Sequence, residues 1–227
     1  MTSTIINSQH STTPSGLRPH SITIMLLFAW FCLIAVLGYV GFFIPQKGEL
    51  PLMILMSGVA SLTLFFLAYW NSRALRQYVL NLDLRLLLVL HGFRTLGLGF
   101  VMLYSIDKLP AIFALPAGFG DAITAVAAIL LTYYWFTQPN GLKKKTLLRW
   151  NHFGLVDFIL ALTLGVLSQT NGVFQFSDSP SSDLMVTFPF VLIPGFLVQL
   201  YVLTHIIIYL QLYTNWKNQH TINLNLK

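Results

Sequence analysis

The chain has 227 residues, of which 56% are hydrophobic and 9% charged, with a mean hydropathy of +0.71. A soluble domain carries about 25% charged residues, so this balance excludes a disordered chain, a disulfide scaffold and an ordinary water-soluble enzyme. The net charge of +6 comes from basic residues in the connections between apolar runs, which points to membrane orientation rather than to a nucleic acid.

Crossing roughly 30 Å of hydrocarbon takes about 20 helical residues. Runs of that kind predict an all-α, polytopic integral membrane protein, a bundle of about six transmembrane helices. A polar tail occupies 1–21. The first span covers 22–44 and stops at Pro45; its apolar stretch is too long for a cleavable signal peptide. Its cysteine, Cys32, is the only one, so no internal disulfide forms. The second span covers 52–70, and the helical spacing of Leu75, Tyr78, Val79 and Leu82 predicts an interfacial helix or an extension of that span. The third covers 84–104. The fourth starts at Pro110 or Pro116 and ends near Phe136; Pro110 is preferred because the preceding loop is then short. The fifth covers 150–167. The sixth covers 184–212, where Pro189 and Pro194 predict a kink or a broken start. The membrane domain is thus 22–212, and 213–227 forms a second polar tail. No strand-like alternation competes with these runs.

Orientation follows from Lys and Arg. With both termini in the cytoplasm, ten basic residues face inward, among them Arg18, Arg73, Arg76, Lys143, Lys144 and Lys217, and Lys47 and Lys108 face outward. Trp70, Trp135, Trp150 and Trp216 fall at the cytoplasmic ends of spans and predict an aromatic belt there. The short loops fit a bacterial inner membrane.

Five ionisable residues lie inside the spans: His91, Arg94, Asp121, Asp157 and His205. Each costs at least about 2.5–3.5 kcal/mol to insert and needs a partner or a role. At a rise of about 1.5 Å per residue, Arg94 lies roughly 13 Å and Asp157 roughly 12 Å from the cytoplasmic face, and Asp121 lies near the midplane. His91 and Arg94, three residues apart, share one helix face. The five residues are therefore expected to form one cluster, open towards the cytoplasm, that locks the helices together, binds a ligand or relays a proton.

The segment Gly118-Phe119-Gly120-Asp121 resembles the Gly-x-Gly-Asp motif of the intramembrane aspartyl proteases, the presenilin-like and prepilin-peptidase families. That resemblance implies a catalytic dyad of Asp121 with a second aspartate, here Asp157, sharing one proton. It covers only Gly118, Gly120 and Asp121. Asp157 follows the motif where the presenilin-like families place the partner on an earlier helix, the Pro-Ala-Leu motif is absent, and a nearby Arg94 favours ionising both carboxylates. Close helix packing is the simpler role for the glycines, as for the spaced pairs Ala114–Gly118 and Ala161–Gly165.

The leading expectation is a small transporter or ligand-binding membrane protein, with Arg94 holding an anionic group and a carboxylate or histidine taking up a proton. A second is a membrane redox protein or metal-dependent enzyme, with His91 and His205 on a haem, or joined by Asp157 or His152 at a zinc ion. A third is a structural subunit of a membrane complex. No motif calls for a cofactor. The expected partners are the lipid bilayer, an unidentified small molecule or ion, and further copies of the chain.

Overall fold

In a long apolar run the backbone must satisfy its own polar groups, which a helix does within one segment. The computed structural model describes residues 19–46, 49–138, 142–170, 172–174 and 180–214, and no strand occurs among them. The helices are α1 (Pro19–Tyr39), α2 (Leu52–Asn71), α3 (Arg73–Leu80), α4 (Leu84–Gly92), α5 (Leu98–Ser105), α6 (Ala111–Thr137), α7 (Lys144–Leu167) and α8 (Val198–Thr214). A tightly wound turn, Phe93–Gly97, joins α4 to α5, and a wide turn, Ile193–Leu197, leads into α8. With these turns the described residues hold six helices long and apolar enough to cross a membrane. The two polar tails up to residue 18 and beyond residue 214, together with Lys47, lie outside the described residues.

Several boundaries differ from the sequence reading for identifiable reasons. The first helix ends at Tyr39 rather than near Pro45, because Gly41 takes a φ of 75° and the Phe42 N–H turns back to the Leu37 carbonyl. A glycine in this left-handed conformation is a common helix stop. The interfacial segment is a separate helix, α3, whose N-cap Ser72 accepts from the Leu75 N–H. The fourth span begins at Ala111 with Pro110 as its N-cap, and Pro116 lies inside it. The fifth begins at Lys144, six residues before the expected Trp150. The sixth begins at Ile193, not at Leu184. Pro189 stays in the preceding turn and Pro194 sits in the first turn, where a missing N–H costs nothing.

Packing centres on α6, which lies against α4, the Phe93–Gly97 turn and α5, and against α7. α8 closes the bundle against α7 and also touches α2, α3 and α4. One core cluster, including Leu88, Trp135, Leu147, Trp150 and Leu212, fills the end near the Lys143–Lys145 connection. Two others, around Val191 and around Phe113, fill the opposite end. Trp135 and Trp150 therefore face the core rather than a headgroup belt; Trp70 is exposed, and Trp216 lies outside the described residues. Around the outside, Ile24, Leu26, Phe28, Leu64, Leu96 and Met102 present an apolar surface that fits a multi-pass membrane protein.

Buried Gln211 on α8 donates from Nε2 to the carbonyls of Val79 (2.7 Å) and Leu82 (3.0 Å) at the end of α3. Val79 lies in the last turn of α3 and Leu82 just past its end, so the bonds tie α8 to the close of α3. Gln211→Leu leaves both carbonyls without that donor and is expected to cost about 1–3 kcal/mol, read as a lowered Tm in detergent.

Candidate functional site

The Phe93–Gly97 turn sits at mid-span and carries Arg94 into the bundle. A tight turn inside a longer helix often marks a functional position. Asp121 reaches Arg94 from α6, Asp157 from α7 and His205 from α8. The arginine side chain is 1% exposed, so its charge must be met inside the protein.

Each nitrogen of the guanidinium has a different partner. Nε donates to Asp121 Oδ1 at 2.7 Å, Nη2 donates to Asp157 Oδ2, and Nη1 donates to His205 Nε2 at 3.2 Å. Its carbon also lies 3.8 Å from the centre of the Phe158 ring, a cation–π contact. An arginine has no acceptor, so His205 Nε2 must carry a lone pair and His205 is a neutral imidazole protonated on Nδ1. That proton is donated to Asn151 Oδ1 at 2.7 Å, and Asn151 Nδ2 donates back to the His205 carbonyl at 3.1 Å. His91 packs on the same ring, with centroids 4.1 Å apart. The Thr204 hydroxyl donates to the Tyr201 carbonyl at 2.8 Å, so it accepts from His91 Nε2 at 3.1 Å. His91 Nδ1 is buried and has no hydrogen-bond partner among the described residues.

Three glycines make room for this network. A Cβ on Gly97 would overlap Asp121, a Cβ on Gly120 would overlap Asp157, and one on Gly154 would come within 2.5 Å of the His205 ring. Gly118 likewise lets α6 approach Val101 and the Gly97 carbonyl. The small residues are thus tied to particular side chains of the cluster as well as to helix packing.

All five residues singled out from the sequence come together, while His152 does not. It is exposed, its Nδ1 meets the Leu148 carbonyl at 2.9 Å, and its ring lies against Tyr209. The sequence reading missed Asn151, Thr204, Phe158 and Tyr201 as members of the network. Tyr201 is four residues from His205 and so shares its helix face, a signal that was available.

This geometry bears on four of the expectations. Three of the five Arg94 N–H donors are committed to Asp121, Asp157 and His205, and the guanidinium also lines a cavity described below. The two aspartates are joined through the guanidinium rather than as a proton-sharing dyad. His91 and His205 touch one another and cannot stand on opposite faces of a haem; among the described residues no three His, Cys, Asp or Glu side chains are grouped to hold a metal ion. Finally, the cluster is closed rather than open towards the Lys143–Lys145 end, where Trp150 packs against both imidazoles at 5.1 and 5.3 Å and the core cluster continues outward.

The open space lies elsewhere. A cavity of about 310 Å³ is lined by Arg94, Asp121, Phe93, Leu96, Leu197 and Tyr201, among others. Phe93, Leu96 and Leu197 are exposed on the apolar exterior, so the cavity reaches the side of the bundle. A smaller one, about 70 Å³, runs from Asp121 past Phe113 to Pro51 and Gln169. Asp121 lines both, and its side chain is 16% exposed against 6% for Asp157.

The profile of a family described as a domain of unknown function, DUF8737, matches residues 50–213. The chain belongs to that family. The matched segment holds all five cluster residues; α1 lies before it. Comparison with curated proteins and with solved structures gave no match.

Because Gly120 abuts Asp157, Gly120→Ala is expected to cost about 1–3 kcal/mol by overpacking, seen as a lower Tm in detergent. In an Asp157→Ala background, which has its own cost, the obstruction is gone and the same glycine substitution should lower the Tm less than it does in the unaltered protein.

Proposed function

We propose that this chain is a multi-pass membrane protein, with both termini in the cytoplasm, that binds a small ligand at Asp121 in exchange for a proton. Such an exchange is the elementary step of proton-linked transport. The observation that carries the reading is one of charge and access. Two carboxylates surround one guanidinium, the His205 imidazole is neutral, and the carboxylate in excess meets a cavity. One bound proton or one bound cation would neutralise the cluster. An uncompensated charge in a membrane-spanning segment is costly and commonly serves a ligand or proton path. Asp121 is the exchanging group in this reading because it lines both cavities, whereas Asp157 is held behind it. The Lys and Arg distribution supports the orientation.

Dicyclohexylcarbodiimide tests this without knowledge of the ligand, since it enters apolar sites and reacts with carboxyl groups that carry a proton. The purified protein is expected to be labelled at Asp121, detected by peptide mass spectrometry. Labelling at that site should vanish in Asp121→Asn and fall in Asp157→Asn, where Arg94 and Asp121 balance one another. A protein in which neither aspartate reacts would have a packing cluster only, and the reading would fail.

A further inference from the structure

The cavity beside Asp121 carries its own chemical signature. Its charged lining residues are Arg94 and Asp121. The rings of Phe93, Phe100, Phe158 and Tyr201 also line it. One face of Phe158 is taken by the Arg94 guanidinium, Tyr201 packs on Phe158 and His91, and Phe100 packs on Phe113, which leaves exposed Phe93 the most open of the four rings. Aromatic rings around a site attract a cation through their electron-rich faces, and alkylated ammonium groups most typically. The nearest charge cluster, Arg94 with Asp121 and Asp157, is one negative charge in excess. An anion entering here would meet that excess beside a guanidinium whose charge is already outweighed by two carboxylates. A neutral apolar molecule would leave the excess uncompensated. The volume, about 310 Å³, falls at the small end of ligand pockets. The mouth is apolar, formed by exposed Phe93, Leu96 and Leu197 on the side of the bundle.

From these features we infer that the ligand is a small lipophilic cation, an apolar body bearing one ammonium group. It enters from the side between the Phe93–Gly97 turn and the start of α8, and sets its charge against Asp121. The inference rests on the ligand-for-proton reading of Asp121 and names the ligand class. A cation and a proton compete for the same carboxylate, so binding of one releases the other.

Three probes of nearly equal shape test it: radiolabelled benzyltrimethylammonium as the cation, neopentylbenzene as its uncharged counterpart and benzylsulfonate as an anion. Equilibrium binding to the full chain in detergent should saturate at one benzyltrimethylammonium per chain. Neopentylbenzene and benzylsulfonate should compete at least tenfold less well. Asp121→Asn should weaken cation binding at least tenfold. Should that variant fail to fold, Phe93→Leu, at an exposed position, keeps the test alive: it removes one ring and should weaken the cation several-fold while leaving the anion's competition unchanged. Equal or better competition by benzylsulfonate, or cation binding indifferent to both substitutions, overturns the inference. If Asp121 reacts with carbodiimide but no cation binds, the ligand class is wrong and proton uptake at Asp121 stands. Cation binding without any carbodiimide reaction would instead overturn the exchange and retain the cation site.

Discussion

A guanidinium removed from water must be met by partners inside the protein, and Arg94 draws those partners from three other helical segments at once. Asp121 on α6, Asp157 on α7 and His205 on α8 each bond to a different nitrogen. The planar fork of arginine makes the arrangement directional, so it fixes how the helices rotate and slide against one another as well as their spacing. A lysine, a point charge on a flexible stem, would not impose the same register. Interhelical hydrogen bonds of this kind act together with close packing at small residues in holding apolar helices to one another.

The hub requires unusual local structure on every side. The turn that carries Arg94 is wound more tightly than the helices it joins, and Gly97, Gly120 and Gly154 each stand where a methyl group would strike a cluster side chain. A second layer of bonds then orients the first. Asn151 holds His205 in one tautomer, and the Thr204 hydroxyl holds His91. Trp150 closes the cluster on one side and donates to the Thr124 carbonyl at 3.0 Å, tying α7 to α6. The space left over lies on the other side of Arg94, beside Asp121.

Much of this was legible in the amino-acid sequence. Apolar run length gave six spans, since bilayer thickness and helical rise leave little freedom. The cost of burying charge picked out His91, Arg94, Asp121, Asp157 and His205, and depth estimates placed them at one level. Helix ends were less legible: Gly41 ended the first helix before Pro45, and the lysines at 144 and 145 joined α7 although their charge suggested a loop. Which way a side chain faces was harder still. Trp150 reads as an interfacial anchor, yet its helix begins six residues earlier and turns it towards the imidazoles. The direction of access also escaped the sequence, because cavities arise from how distant segments pack. Two pairs of helices can place identical residues at one depth and open on either side.

The central claim is that Arg94 and its carboxylates act as one structural unit. A double-mutant cycle of Arg94→Met with Asp157→Asn, followed by reversible unfolding in detergent, measures that directly. Arg94→Met alone leaves two buried carboxylates and should cost about 3–5 kcal/mol. If the unit exists, the two changes together should cost less than the sum of the separate changes, by about 0.5–3 kcal/mol. Costs that simply add would contradict the account and reduce the cluster to independent polar contacts.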